Sequence, residues 1–319
     1  MISVEQLSKH FGDIVAVDNI SFDVKEHENL ILLGTSGCGK TTTLKMLNRL
    51  IEPSSGSIKI NNKNILDQKP EELRRGIGYV LQNNGLFPHY TIAENISIVP
   101  QLLKWDSRRI ENRIAELIEK LHLSPDQLKL YPSELSGGQQ QRVGLARALV
   151  ANPPILLMDE PFGALDNITR SKIQAEFKEL DELKKKTIIM VTHDVQEAFE
   201  LGDRICLMDK GRIVQIGTPA DLLFKPAKEF VKEFLKEQRL QLEFKSVRIK
   251  DIWDLLPVSK KESDGQIISI DSNIWMGLQK ISEKKQDYLH ITYQHEAKTV
   301  GFAQLMAAFY QYQNRRPHE

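Results

Sequence analysis

A chain of 319 residues, 41% hydrophobic and 27% charged, has the size of one large domain plus a small one and the composition of an ordinary globular protein. Its 43 Lys and Arg balance 43 Asp and Glu, for a formal net charge of +0, so no broad attraction to phosphate backbones points to nucleic acid as a partner. No run approaches the ~20 apolar residues of a membrane-spanning helix, no basic stretch leads into an apolar core at the N-terminus, and Cys38 and Cys206 lack CxxC spacing; a reduced, cytoplasmic compartment is expected.

Residues 1–26 read as strands, with Val15-Ala16-Val17 and Ile20-Ser21-Phe22-Asp23-Val24 in partial alternation. Residues 29–33 are a continuous apolar run ending at Gly34, the pattern of a buried central strand. A glycine-rich loop follows, and Leu44, Leu47 and Leu50 then fall at helical spacing over 41–50. Residues 57–60 predict a short strand. Residues 108–121 predict an amphipathic helix with Ile110, Ile114, Leu117, Ile118 and Leu121 on one face.

The next helix is expected over 139–150, stopped at Asn152-Pro153-Pro154. Strand 155–158, helix 169–183 and strand 187–192 follow, and 204–208 and 212–216 flank Asp209-Lys210-Gly211 as a hairpin. Helices alternating with apolar strands predict an α/β core on a parallel sheet. Residues 228–239 read as a last, highly charged helix. Beyond it the order is helix, charged loop, strand, helix, two strands and helix. A domain boundary is therefore expected near Arg239, dividing 1–237 from 238–319, with Ser259-Lys260-Lys261-Glu262-Ser263-Asp264-Gly265 as a solvated loop.

The loop Gly34-Thr35-Ser36-Gly37-Cys38-Gly39-Lys40-Thr41-Thr42 matches a phosphate-binding loop in its required place between a strand and a helix. Glycines let backbone N–H groups converge on phosphate oxygens, and the helix that follows adds its positive end. Lys40 is the residue to neutralise the β- and γ-phosphates of ATP, and the Thr41 hydroxyl to ligate Mg²⁺. This motif alone fits kinases, GTPases and many ATPases. Cys38 reads as a small loop residue, with no resolving cysteine nearby for a redox role.

Ile155-Leu156-Leu157-Met158-Asp159-Glu160 is an apolar strand ending in two carboxylates, Asp159 for the metal and Glu160 to polarise an attacking water. About two dozen residues before Asp159, Leu135-Ser136-Gly137-Gly138-Gln139 places a hydroxyl and glycine N–H groups at a helix start, a second anion site.

The string 135–139 resembles the signature motif of ABC ATPases, and the resemblance extends over residues 1–237. It implies that Ser136, Gly137, Gly138 and Gln139 grip, in trans, the γ-phosphate of ATP bound to the opposite subunit of a homodimer. Gln82, in Tyr79-Val80-Leu81-Gln82, resembles the Q-loop glutamine that approaches Mg²⁺. Gly163-Ala164-Leu165-Asp166 resembles the D-loop, and His193 resembles the switch histidine; with Glu160 these make Gln82, Asp166 and His193 the expected catalytic set. Phe11 stands where the family stacks an aromatic ring on adenine, more often Tyr or Trp. Such stacking contributes ~1–3 kcal/mol; a core phenylalanine is the alternative. The implied fold is a P-loop NTPase, a RecA-like core with an antiparallel β edge and a helical subdomain between Gln82 and about Ser133.

The same resemblance places the transport channel in a separate transmembrane permease, served by a substrate-binding protein, with this chain peripheral on the cytoplasmic face of the inner membrane. Asn83-Asn84-Gly85-Leu86-Phe87-Pro88-His89 is similar to the stretch found in importers of quaternary amines such as glycine betaine, carnitine and choline. Residues 248–319 look like a degenerate CBS region of order βαββα, with strands at 267–270, 288–292 and 299–303 and helices at 274–284 and 304–312. Gly301-Phe302-Ala303-Gln304-Leu305 lacks the Thr and Asp that hold an adenosine nucleotide there, so a dimerisation appendage is the equal alternative. Rival functions are import of another small solute such as an amino acid, a non-transport ABC ATPase, and an inactive binding module. Intact Lys40, Asp159, Glu160 and His193 weigh against the last, and the lack of tandem cassettes or coiled-coil insertions against the second.

Overall fold

The computed structural model describes residues 1–82, 85–258, 266–283, 287–294 and 296–315. The expected loop 259–265 and residues Asn83 and Asn84 lie outside the described residues. The chain divides into two compact units, Met1–Ile216 and Gly217–Glu319.

The first unit runs β1 (Ile2–Phe11), β2 (Ile14–Val24), β3 (Asn29–Gly34), α1 (Lys40–Leu47), β4 (Ser55–Ile60), β5 (Lys63–Asn64), α2 (Pro70–Arg75), β6 (Ile77–Val80), α3 (Ile92–Leu102), α4 (Ser107–Lys120) and α5 (Gly137–Leu149). It continues through β7 (Ile155–Asp159), α6 (Asn167–Glu179), β8 (Thr187–Thr192), α7 (Val195–Leu201), β9 (Arg204–Asp209) and β10 (Arg212–Gly217). Six strands form one sheet of order β10-β9-β3-β8-β7-β6. Within it β9, β3, β8, β7 and β6 are parallel neighbours. Every residue of β7 and β8 is buried, as continuous apolar strands in a covered parallel sheet require.

A second sheet, β2-β1-β4-β5, is antiparallel. Val4, Leu7 and Val24 from it share one apolar core with Leu30, Leu32, Ile189 and Val191 of the parallel sheet. The two sheets are thus layers of one body, the parallel core and antiparallel edge expected from the sequence.

The segment between β6 and α5 is helical. Thr91 and Glu94 cap the start of α3 reciprocally. Buried Asn95 fixes the turn before it by accepting from Phe87 N at 2.8 Å and donating to the carbonyls of Phe87, Tyr90 and Thr91. Helix α4 begins one residue earlier than expected because the Asp106 carboxylate accepts from Arg109 N at 2.9 Å. Ile110, Ile114, Leu117 and Ile118 form its buried stripe. Two predicted helices are shorter than their patterns. α1 stops at Leu47, where Arg49 turns to φ 47°, and α6 stops at Glu179 ahead of a separate 3₁₀ turn at Leu183–Lys185.

The second unit contains α8 (Pro219–Phe224), α9 (Glu229–Leu235), α10 (Arg239–Ser246), β11 (Gln266–Ile268), α11 (Ile274–Glu283), β12 (Tyr288–Tyr293), β13 (Glu296–Gly301) and α12 (Phe302–Arg315). Its sheet has order β11-β12-β13, with β11 parallel and β13 antiparallel to β12, so the order from β11 onward is βαββα. Phe244, Ile252, Leu289, Ile291, Val300 and Phe309 belong to its own core. The division falls at Ile216, well ahead of 237. The reason is that α8 belongs to the second body: Arg239 donates to Leu223 O at 3.3 Å, and Phe224 meets Tyr312 edge-on at 6.4 Å. The charged helix expected over 228–239 is α9, which stops at Leu235, and α10 is the separate helix expected after it.

Candidate functional site

The glycine loop joins the C-terminal end of β3 to the first turn of α1. Gly34, Gly37 and Gly39 hold φ of 152°, 77° and 102°. A Cβ on Gly34 would stand 2.2 Å from Met208 O, and one on Gly39 would stand 2.5 Å from Ala16 O, so neither position admits a side chain. Thr35, Ser36 and Gly37 form the exposed crest of the loop, with Cys38, Gly39 and Lys40 buried behind it. The Lys40 ammonium donates to Gly34 O and Thr35 O at 2.8 Å each and lies 3.7 Å from Cys38 Sγ. Among the described residues no carboxylate pairs with it, so its charge is available to an anion. Burial pushes the Cys38 thiol up, which leaves it a poor nucleophile and a space-filling loop residue. Thr42 is half-buried in the first turn of α1.

At the end of β7, Asp159 is 5% exposed and accepts from Thr41 Oγ1 at 2.8 Å. Burial raises its pKa, with Glu160 adding to the rise; the Thr41 hydrogen bond, Lys45 and Lys40 oppose it. A hydroxyl and a carboxylate side by side next to a phosphate loop form a hard oxygen donor set, which fits Mg²⁺ shared with a phosphate.

The next residue leaves the strand abruptly. Glu160 has φ 44°, a sparsely populated region for a residue with a Cβ, and its N–H donates to Val191 O at 3.0 Å. This turn brings its carboxylate to two other elements. Gln82 Nε2 donates to Glu160 Oε2 at 3.0 Å, and His193 Nδ1 lies 3.2 Å from the same oxygen. Gln82 follows β6, Glu160 follows β7 and His193 follows β8; because these strands are adjacent and parallel, their ends deliver the three side chains to one point.

The remaining predicted residues do not reach that point in one chain. Ser136 is the N-cap of α5: Gln139 N donates to Ser136 Oγ at 3.4 Å and Ser136 N to Gln139 Oε1 at 2.8 Å. Ser136 and Gly137 are exposed. A Cβ on Gly138 would press Thr169 at 3.0 Å. Among the described residues no hydrogen bond joins Ser136, Gly137, Gly138 or Gln139 to Lys40, Asp159 or Glu160. Asp166 caps α6, accepting from Ile168 N and Thr169 N at 3.1 Å each; a hydrogen bond from the Thr169 side chain, with these backbone donors behind it, holds its carboxyl below the usual range. Phe11 ends β1 with 48% of its surface exposed and Lys9 Nζ 5.0 Å from its ring centre, so it is not a core phenylalanine.

Sequence reasoning missed the layer behind His193. Thr192 Oγ1 donates to the buried Glu197 carboxylate at 2.7 Å and accepts from Asp194 N at 3.0 Å. Asp194 caps α7 through Gln196 N and Glu197 N at 2.9 and 3.1 Å. Arg170 lies 3.4 Å from the Asp194 carboxylate. The available signal was Asp194-x-x-Glu197 directly after an apolar strand, a helix-start pattern.

A glycine loop closing on a helix start, a buried carboxylate beside its threonine and a second carboxylate held by glutamine and histidine define a P-loop nucleotide hydrolase. The family model described as "ABC transporter" matches residues 17–163. Over 291 residues the chain is 50% identical to the glycine betaine/carnitine/choline transport ATP-binding protein OpuCA of Bacillus subtilis, covering 91% of this chain and 74% of that protein. It is 51% identical over 263 residues to the osmoprotectant import ATP-binding protein OsmV of Salmonella typhimurium, covering 81% and 69%. The dimeric post-hydrolysis structure of the ATP-binding cassette MJ0796 bound to ADP and Pi superposes with a TM-score of 0.61 at 34% identity, over 68% of this chain and 98% of that one. This chain belongs to the ABC transporter family as an ATP-binding subunit, and it hydrolyses ATP to drive transport.

Proposed function

We propose that this chain powers an importer of quaternary-amine osmoprotectants, of which glycine betaine, choline and carnitine are the candidates. The observation that carries the catalytic part is the meeting of Gln82, Glu160 and His193 at one carboxylate oxygen beside the glycine loop. The exposed crest N–H groups and Lys40 bind the phosphates of ATP. Their anionic oxygens replace the carbonyls of Gly34 and Thr35 as partners of the ammonium, a charge-assisted exchange. Thr41, Asp159 and Gln82 would hold Mg²⁺, which would supply neutralising charge for the phosphates. Glu160 accepts the proton of the attacking water as general base. Gln82 and His193 fix its carboxylate, and Phe11 offers an exposed ring to adenine.

Two copies complete the site. Ser136, Gly137, Gly138 and Gln139, exposed or half-buried at the start of α5, present an anion-binding helix end to the nucleotide of the partner copy. No helix among the described residues is long and apolar enough to cross a membrane. A separate permease forms the channel and a substrate-binding protein delivers the solute, with this subunit bound peripherally on the cytoplasmic face. The names of the relatives support the osmoprotectant cargo. The βαββα order from β11 onward supports reading the C-terminal part of the second unit as a degenerate CBS-like extension to the nucleotide-binding domain.

The experiment is uptake of labelled glycine betaine, choline and carnitine at high salt in a strain lacking this chain. Uptake of at least one is expected to vanish and to return with the wild-type chain. Unchanged uptake of all three, with loss of uptake of an amino acid, contradicts the cargo assignment and leaves the ATPase untouched.

A further inference from the structure

Arg170 lies on α6, outside every motif that binds nucleotide, yet its guanidinium has two partners on different functional loops. Its Nη2 donates to Leu165 O at 2.9 Å, inside the Gly163-Ala164-Leu165-Asp166 loop. Its Nη1 lies 3.4 Å from Asp194 Oδ2, the residue after His193. The contacts close a circuit around the catalytic carboxylate. From Glu160 the chain turns through Gly163, whose N–H donates to Glu160 O at 3.1 Å, and through Leu165, whose N–H donates to Phe162 O at 3.2 Å. Leu165 O meets Arg170, Arg170 meets Asp194, and His193 beside it returns to Glu160 Oε2 at 3.2 Å.

Asp194 cannot swing freely within this circuit, because its other oxygen caps α7. His193 itself is 62% exposed in its side chain. Its position next to Glu160 depends on its neighbours in the chain, Thr192 and Asp194. The planar guanidinium fork suits this bridging task, since it engages two acceptors in fixed directions as a lysine ammonium does not.

We infer that Arg170 is a positioning residue that ties the 163–166 loop to His193, so that movement of that loop is transmitted to the histidine at Glu160. This rests on the proposed reading of Glu160 and His193 as parts of the hydrolytic site. The link makes the poise of His193 depend on whether that loop is seated. Loss of the link leaves the phosphate cradle intact, because Arg170 contacts neither Lys40 nor Asp159.

The test is steady-state ATP turnover by the full chain carrying Arg170→Met or Asp194→Asn, each alone and combined with His193→Ala. Arg170→Met keeps the apolar stem and removes both hydrogen bonds. Asp194→Asn keeps a helix-capping oxygen and removes the charge. Each single variant is expected to lower kcat about tenfold with KM for ATP changed less than twofold, the pattern of a group that acts after binding. In the His193→Ala background neither change should lower kcat further, because the link acts through the missing ring. Thermal midpoints within a degree or two of wild type keep a folding defect from imitating the result. A full tenfold loss that persists on top of an impaired His193→Ala enzyme overturns the link alone. Full turnover by His193→Ala itself overturns the link together with the reading of His193 beneath it.

Discussion

Among the described residues each unit buries one lysine on backbone carbonyls, and the two sites differ in a way that separates binding from structure. Lys40 is 5% exposed, with its ammonium on Gly34 O and Thr35 O; Lys298 is 6% exposed, with its ammonium on Trp253 O at 2.7 Å and Leu256 O at 2.9 Å. The partners of Lys298 lie at the end of a 3₁₀ turn, Ile249–Leu255, where Trp253 O also accepts from Leu256 N at 3.1 Å, and the Trp253 ring covers the ammonium at 4.4 Å. That charge is consumed by the fold. The partners of Lys40 belong to a strained glycine loop whose outer crest is open, next to a helix N-terminus and a buried carboxylate. A buried ammonium on carbonyls is therefore not by itself a site; what makes it one is an exposed crest and a reason for an anion to come.

Exchanging each lysine for alanine breaks the comparison open. Lys40→Ala is expected to weaken ATP binding roughly 100-fold, from the loss of two charge-assisted contacts at ~1.5 kcal/mol each, with a smaller drop in thermal midpoint than Lys298→Ala because the crest of its loop is open to water. Titration calorimetry beside thermal unfolding checks both halves. Lys298→Ala should do the reverse. It removes the charged donor from Leu256 O and leaves Trp253 O with the Leu256 N–H at 3.1 Å, and is expected to cost about 2 kcal/mol of stability in the second unit, with ATP affinity unchanged. Equal loss of affinity from both variants would dissolve the distinction.

A smaller effect sharpens the same contrast inside the first unit. Burial pushes the Glu197 carboxyl up to about 7; Asp194 and Glu160 add to the rise, and the Thr192 hydrogen bond and Arg170 oppose it. Between the ordinary value of 4.5 and about 7 the folded state holds this proton while the unfolded state releases it. Stability from this group is therefore greatest at low pH and declines as pH rises through that window. Glu197→Gln keeps an acceptor for Thr192 and cannot ionise. Its thermal midpoint should match wild type at pH 5 and exceed it by a few degrees at pH 8. A variant less stable than wild type at pH 8 would show that the carboxylate is held charged.

Much of the fold and of the site was legible because strings in the sequence coincide with single structural acts. The 34–42 glycine loop lies at one strand–helix junction, and Asp159 and Glu160 at one strand end. What was illegible is long-range. Nothing in the sequence pairs Arg170 with Asp194, since the two sit on different helices and each reads as an ordinary surface charge. Helix α3 was hidden because only its Thr91–Glu94 capping box marks it, ahead of a short apolar run broken by Pro100. The division at Ile216 depends on Arg239 and Tyr312 reaching back to α8, contacts that no local pattern encodes.

The central claim is that Glu160, held by Gln82 and His193, activates the attacking water while the cradle around Lys40 binds ATP without it. Single-turnover hydrolysis by Glu160→Gln, with ATP binding measured on the same sample, tests it most directly. The account predicts unchanged ATP affinity, hydrolysis slowed by about 10²–10⁴, and accumulation of an ATP-bound dimer. Near-normal hydrolysis, or a loss of affinity equal to the loss of rate, would contradict it.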